Sequence, residues 1–336
     1  MKAVGYRQPL PIDQPGALID LDLPAPVPLP HDLLVRVKAV SVNPVDTKVR
    51  RSAQPEAGAA RVLGFDAVGV VEALGAEAKG FAVGDRVYYA GSILRPGTNA
   101  ELHAVDARIV GHAPASLSDA EAAALPLTAI TAWELLFDRL KVPQGGGAGE
   151  SLLVVGGAGG VGSILIQLAR QLTGLRIIAT ASRPESREWC LQLGAHDVID
   201  HAKPLTEGLR SLGLDAVDRV ASLTQTDAHF DQIVEALKPQ GQFALIDDPK
   251  VLDATKLKRK ALSLHWELMF TRPIFGTPDL HLQGELLDAV AKLVDAGRIR
   301  TTVQASYGTI NAANLTKAHA LIESGQARGK LVLEGF

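Results

Sequence analysis

The stretch Leu152-Leu-Val-Val-Gly-Gly-Ala-Gly-Gly-Val-Gly162, continued by Ser163-Ile-Leu-Ile-Gln-Leu-Ala-Arg170, reads as an apolar strand, a glycine turn and an amphipathic helix in unbroken order. Gly157, Gly159 and Gly162 stand at G-x-G-x-x-G spacing. In such a turn the first glycine permits the bend, the second lets a pyrophosphate approach the backbone, and the third lets helix pack on strand. Free N–H groups at the helix start then face the anion, with Ala158, Gly160 and Val161 completing the backbone cradle. Glycine turns also serve as plain strand–helix connections, so the flanks decide between the two readings.

Downstream, the runs Arg176–Ala181, Val198–Asp200, Val217–Ser222 and Phe243–Ile246 read as strands, with helices near Glu185–Leu193 and Asp227–Leu237. That alternation predicts a parallel, doubly wound sheet. Upstream, the first 120 or so residues hold short β-type runs at Leu33–Val40, Ala67–Ala73, Arg86–Ala90 and Ala100–Val105, punctuated by proline and glycine. The tail shows two helical patterns, Gly284–Ala296 and Ala312–Glu323, closed by Gly297 and Gly325, and a last strand Lys330–Leu333.

The 336 residues suffice for two domains, and 47% hydrophobic content can fill substantial cores. The net charge is −3 with Lys and Arg scattered, which favours a small-molecule partner over nucleic acid or an anionic membrane. Ser151–Ala169 is uncharged, but its glycines and Gln167 fit a buried strand–turn–helix better than a membrane span. No apolar leader follows Met1, and Cys190 is the only cysteine, so a reducing cytoplasm is the expected compartment.

The end of the second strand of a dinucleotide fold lies beside the adenosine ribose, where an acid selects NAD. Here the corner reads Ala179-Thr-Ala-Ser-Arg-Pro-Glu-Ser-Arg187. Ser182 and Arg183 stand in the place of the acid and Arg187 follows one helical turn on, a set that favours the 2′-phosphate of NADPH. The competing reading has these arginines solvating a helix start, with Glu185 in its first turn.

In order along the chain, Ser41-Val-Asn-Pro-Val-Asp46, Gly64-Phe-Asp-Ala-Val-Gly69, Gly84-Asp-Arg-Val87, Leu125-Pro-Leu-Thr-Ala129, the glycine turn and Gly329-Lys-Leu-Val-Leu333 resemble the medium-chain dehydrogenase/reductases. Specifically, they resemble the zinc-free, quinone oxidoreductase-like branch. Thr180-Ala-Ser-Arg-Pro-Glu185 and His265-Trp-Glu-Leu-Met-Phe-Thr-Arg272 resemble a subgroup often labelled zinc-binding alcohol dehydrogenases. The resemblance implies an α/β fold: a β-rich, GroES-like catalytic domain over 1–128 and 268–336, and a doubly wound Rossmann domain over 129–267. It also implies a homodimer paired along the last strand of the nucleotide domain, for which Leu262–Phe270 is an apolar candidate edge.

Zinc-dependent relatives hold their metal with Cys, His and a further Cys or acid, whereas this chain has Asn43 and Asp46 in the first motif and Phe65 in place of a histidine. The expected site is therefore metal-free. Without a Lewis acid, acceptors that spread incoming charge are favoured, namely quinones and conjugated carbonyls. Asn43 can donate to developing negative charge or serve as a turn residue before Pro44. Asp46 orients its neighbours or caps a helix, and Tyr88 or Tyr89 donates a proton or forms a wall. The resemblance carries over Thr128 to the nicotinamide side and Lys330 to the phosphate side, both with ordinary structural alternatives. His265, Trp266 and Arg272 are candidates for the substrate wall or for a subunit contact. Three functions remain in view: NADPH-dependent quinone reduction, alkenal or enone reduction, and non-catalytic NADPH binding as a redox sensor.

Overall fold

A computed structural model describes all residues from Met1 to Phe336. The strands in chain order are β1 (Lys2–Tyr6), β2 (Ile19–Asp22), β3 (Asp32–Val42), β4 (Arg61–Val62), β5 (Ala67–Leu74), β6 (Arg86–Tyr89), β7 (Leu102–Asp106) and β8 (Val110–His112). They continue as β9 (Ser151–Val155), β10 (Arg176–Thr180), β11 (Asp197–Ile199), β12 (Val217–Ser222), β13 (Leu237–Leu245), β14 (Ser263–Trp266), β15 (Val303–Ser306) and β16 (Lys330–Glu334). The chain divides into two compact units, one of Met1–Ile130 with Phe270–Phe336, the other Thr131–Met269.

The first unit is built on a sheet of order β15-β16-β3-β5-β6-β8, with β7 also paired to β3. Strand β3 alternates buried Val35 and Val37 with exposed Arg36 and Lys38, then turns wholly buried from Ala39 onward. That change marks where the strand passes from a half-solvated face into the core. Its end is also where the candidate site residues begin. A smaller sheet, β2-β1-β4, flanks it.

The second unit is a six-stranded parallel sheet of order β11-β10-β9-β12-β13-β14. Every residue of β9 is buried, as expected of a strand covered on both faces. The order reverses at β9, so the crevice at the C-terminal ends of β9, β10 and β12 is the topological switch point where such sheets take ligands. The helices Pro184–Gln192 and Thr226–Ala236 fall within a residue or two of their predicted bounds. Strand β13 starts earlier than the predicted Phe243, because Leu237-Lys-Pro-Gln-Gly-Gln242 carries no alternation to betray it.

Asp119–Arg139 is long and apolar enough to cross a membrane, yet it is broken into successive short helices and mostly buried in the protein. Its last segment, Glu134–Arg139, is a π-helix. There Glu134 and Glu267 are both buried, and Arg139 donates to Glu267 at 2.7 Å. Burial, then the neighbouring Glu134, pushes the Glu267 carboxyl up to about 9, so the two acids retain a proton beside a single guanidinium.

In the glycine turn the left-handed residue is Gly156, at φ +84°, one position before the glycine expected to make the bend. A Cβ on Gly157 would lie 2.8 Å from Ala179 Cβ, so this position is held open for strand packing. A Cβ on Gly162 would lie 2.5 Å from the Gly157 carbonyl oxygen and 2.6 Å from that of Gly156. Backbone cannot yield there. For Gly162→Ala we expect about 1–3 kcal/mol of overpacking, against a helix-propensity gain of about 1 kcal/mol. The net result is a Tm several degrees lower by calorimetry; an unchanged or raised Tm would contradict the packing role.

Candidate active site

The most highly connected polar cluster lies in the first unit, around Asp66. Its carboxylate is fully buried and accepts from Ser41 Oγ at 2.7 Å, Asn43 Nδ2 at 2.7 Å, Lys330 Nζ at 2.9 Å and the Leu127 N–H at 2.7 Å. The Lys330 ammonium also donates to Asn43 Oδ1 and, at 3.3 Å, to the Val42 carbonyl. A lysine can only donate and a carboxylate only accept, so the Asn43 amide has one permitted orientation. Its oxygen faces Lys330 and its nitrogen faces Asp66. One Nδ2 hydrogen is thereby committed, and the second has no protein acceptor assigned.

Backbone geometry puts these groups together. Asn43 closes β3 and precedes the helix Pro44–Ser52, whose first turn Asp46 caps by accepting the Asn43 N–H at 2.7 Å. The other Asp46 oxygen accepts the Gly64 N–H at 3.0 Å, tying the helix start to the loop that carries Phe65 and Asp66. Lys330 opens β16, which pairs antiparallel with β3 and brings the C-terminal strand beside Asn43. Phe65 packs edge-on to Phe270, with centroids 5.4 Å apart.

The remaining expected residues take varied places. Tyr89 is fully buried, stacked on His103, with its hydroxyl 3.2 Å from His103 Nδ1. His103 Nε2 lies 2.9 Å from the Pro96 carbonyl, so Nε2 carries the proton and Tyr89 is the donor to Nδ1. Tyr88 is equally buried and donates to the Leu287 carbonyl at 2.6 Å. The Thr128 hydroxyl bonds back to the Leu125 carbonyl at 3.1 Å. Lys330, carried over as a phosphate-side contact, has its ammonium inside the Asp66 cluster.

In the second unit, the helix Gly160–Leu172 starts at Gly159 without a side-chain cap. Its first backbone bond runs from the Ser163 N–H to the Gly159 carbonyl at 2.9 Å. The N–H groups of Gly160, Val161 and Gly162 therefore have no acceptor within the helix, which is the arrangement a phosphate needs. A Cβ on Gly159 would meet nothing closer than 3.5 Å, so the space above it is open. These features fit a dinucleotide pyrophosphate. At the ribose corner Ser182 and Arg183 are exposed, Arg183 lies 3.6 Å from Glu185, and Arg187 donates to the Val198 carbonyl at 2.9 Å.

No group of three or more His, Cys, Asp or Glu side chains is placed to hold a metal ion. Around Asn43 the available groups are an amide, a phenyl ring, an ammonium, the Asp66 carboxylate and the Asp46 carboxyl, whose two oxygens are held by the Asn43 and Gly64 N–H groups. That set does not suit zinc, because the ammonium already neutralises the Asp66 carboxylate and no thiolate or imidazole is at hand. Asp66 and its pairing with Lys330 were missed by sequence reasoning. The signal was an acid embedded in an apolar run, Leu63-Gly-Phe-Asp-Ala-Val68, which asks for a buried partner.

Comparison with known proteins gives consistent matches. Residues 193–333 match the zinc-binding dehydrogenase family and residues 29–115 the alcohol dehydrogenase GroES-like domain. A zinc-type alcohol dehydrogenase-like protein of Staphylococcus aureus is 39% identical over 99% of both chains. The crystal structure of a Rhizobium etli protein, described as a candidate zinc-dependent alcohol dehydrogenase, superposes with a TM-score of 0.96 at 59% identity. It covers 100% of this chain and 98% of that one. The quinone oxidoreductase of Coxiella burnetii superposes with a TM-score of 0.81 at 27% identity, over 100% and 99% of the two chains.

Burial raises the Asp46 carboxyl from 3.8 to about 7, outweighing the stabilising Asn43 and Gly64 N–H groups and the Lys330 charge. Between those limits the folded protein keeps a proton that the unfolded chain has lost. Stability contributed here is therefore full below the unfolded value and declines as pH rises, by up to roughly 1.4 kcal/mol per pH unit, until about 7. In urea titrations from pH 4 to 8, Asp46→Asn should flatten that slope whatever its effect on absolute stability. An unchanged slope would show that Asp46 is ionised throughout.

Proposed function

The chain belongs to the medium-chain dehydrogenase/reductase superfamily, in the branch whose members are called zinc-type alcohol dehydrogenase-like, and on that footing we propose that this oxidoreductase reduces quinones or similarly conjugated carbonyls with NADPH and without zinc. The observation that carries the reading is the Lys330 ammonium seated between Asn43 and Asp66. The cation in this cluster belongs to the protein and is already paired. It fixes the donor geometry of Asn43 but does not offer an open Lewis-acid position.

NADPH, when bound, supplies the hydride; the protein's part is to hold the partners and to meet the charge that develops on the acceptor oxygen. Gly157, Ala158, Gly159, Gly160, Val161 and Gly162 hold the pyrophosphate through backbone N–H groups. The second Nδ2 hydrogen of Asn43 faces the developing oxyanion. A donor of that kind is worth about 10²–10³ in rate, well short of what a divalent cation does for an unactivated ketone. The acceptor must therefore delocalise the charge itself, as quinones and enones do. Quinone oxidoreductases and an enoyl reductase both share the full-length fold, so a substrate panel is what separates quinone from enone reduction.

Ser182 and Arg183 support NADPH over NADH. Arg183 must exchange Glu185 for the 2′-phosphate, which sharpens the test. Arg183→Ala should weaken NADPH binding about 10- to 150-fold with NADH nearly unchanged, while Glu185→Gln should tighten NADPH a few-fold. Equal affinity of the unmodified protein for both cofactors, read by calorimetry, would remove this specificity. The reducing cytoplasm is the proposed compartment for a chain whose single cysteine, Cys190, leaves no internal disulfide to form.

In a stopped-flow panel, small quinones should oxidise NADPH much faster than aliphatic ketones. Asn43→Ala should lower kcat/KM for quinones by about 10- to 1,000-fold. Efficient reduction of acetone-like ketones with quinones inert would overturn the reading, as would stoichiometric zinc whose removal abolishes activity.

We further propose a homodimer. Strand β14 ends its sheet with only β13 as neighbour; its last residue, Trp266, and Leu268 two positions beyond it are about half exposed. An unprotected apolar edge is covered in stable proteins. Light scattering at micromolar concentration should give twice the 35.5 kDa chain mass, and Trp266→Glu should shift it toward the monomer. A monomeric mass for the unmodified protein would exclude the dimer.

A further inference from the structure

The helix Pro44–Ser52, which Asn43 precedes, is held at its far end as well as at its start. Arg50 stands in its last turn, is fully buried, and donates through its two terminal nitrogens to the Leu10 carbonyl and to the Glu323 carboxylate. The Tyr6 hydroxyl donates to the Ala53 carbonyl at 2.7 Å, with the Val49 carbonyl 3.1 Å away. None of these bonds belongs to the Asp66 cluster. Glu323 is the last residue of the helix Ala312–Glu323, an end at which the helix carbonyls disfavour a carboxylate. Its place there is explained by the guanidinium opposite and not by its own helix.

His319 stands one turn earlier on that helix and is buried, with no partner for either ring nitrogen. Burial, then the Arg50 charge, lowers it to about 3, so it is neutral at ordinary pH and Glu323 supplies the charge that pairs with Arg50. The spacing of the two partners is informative. Arg50 comes seven residues after Asn43, and Glu323 comes seven residues before Lys330. Asn43 and Lys330 meet at one end of the arrangement, Arg50 and Glu323 at the other. The helix is therefore pinned twice to the C-terminal segment, and Asp46 ties its start to Gly64 as well. One pin leaves a helix free to pivot; two fix its direction.

Resting on the reading of Asn43 above, we propose that Arg50 and Glu323 form a positioning pair for the acceptor site: by holding the far end of the helix Pro44–Ser52 they fix the direction of the uncommitted Asn43 Nδ2–H. Neither residue touches the acceptor in this role; both act through Asn43. From Asn43 to Arg50 the helix runs about 10 Å, so a shift at Arg50 reaches Asn43 as a change of helix direction. A donor aimed at a developing oxyanion depends on its placement, and a displacement of about 1 Å costs about 100-fold in rate. The bond from Lys330 sets which way the amide is turned, and the Arg50–Glu323 pair sets where it stands.

Stopped-flow reduction of menadione by NADPH in the full-length protein, arranged as a double-mutant cycle, tests the assignment. Glu323→Ala should lower the rate of quinone reduction by about 10- to 100-fold, with the Kd for NADPH within about two-fold. In the Asn43→Ala background the same change should cost less than about two-fold, because the donor it positions is gone. Glu323→Gln keeps an acceptor for Arg50 and should recover most of the rate, while Arg51→Ala, an exposed neighbour on the same helix, should change nothing. Crystal structures should show the Asn43 amide displaced from its bond to Asp66 in the Glu323→Ala protein. Thermal melts accompany each variant. Arg50→Lys keeps the charge but lacks the fork that reaches both Leu10 and Glu323, so it takes the place of Glu323→Ala in the cycle should that variant fold poorly. Equal losses in the two backgrounds, or an unaltered rate in a folded Glu323→Ala protein, would overturn the positioning pair while leaving the quinone reading intact. An Asn43→Ala protein as fast as the unmodified one, or an unmodified protein inert toward the quinone, would overturn both.

Discussion

The ion pair between Asp66 and Lys330 is the constraint on which the first unit's chemistry depends. It joins a loop before β5 to the first residue of β16, 264 positions later in the chain. Breaking such a buried pair by removing one partner costs about 3–5 kcal/mol, because the survivor is left as an uncompensated charge. The pair is retained despite its desolvation cost because it is fully hydrogen-bonded. Asp66 has donors on both oxygens, and Lys330 has two further acceptors. The same network settles the orientation of Asn43, so a fold-stabilising interaction also determines which way the candidate donor points.

The second unit works by a different physical means. Its proposed anion site is made of backbone, exposed by glycines whose missing Cβ atoms leave either packing space or open space. Gly157 and Gly162 bring strand and helix together, Gly156 adopts the left-handed conformation, and Gly159 leaves the approach clear. In the proposed reading, side chains enter only at the adenosine end, where cofactor choice is made. That separation explains why a fingerprint can announce a dinucleotide yet remain silent about which one.

Names containing zinc attach to one of the two matching families and to several relatives, yet the two acids around Asn43 are already engaged, Asp66 by an ammonium and Asp46 by backbone N–H groups. Metal affinity is decided by donors at the site and not by the fold that carries them. The buried pair of Glu134 and Glu267 beside Arg139 makes a related point. Acids placed away from water retain a proton or find a cation, and this chain uses both solutions.

Much of the fold was legible because its signals are local. The apolar run of β9, the glycine turn, the strand–helix alternation beyond it and the left-handed Gly297 and Gly325 closing two tail helices all follow from neighbouring residues. Asn43 and Asp46 could be singled out from a short motif, and Asp46 does cap a helix start. Tertiary structure alone decided the rest. That Lys330 meets Asp66, that Tyr89 donates to His103, that the bend falls on Gly156 and that Arg50 pairs with Glu323 depend on strand register and on residues far apart in the chain. Local sequence determines which elements form, because propensity and periodicity act over a few residues. Partners for buried polar groups are chosen by the packing of those elements, and no local pattern encodes that choice.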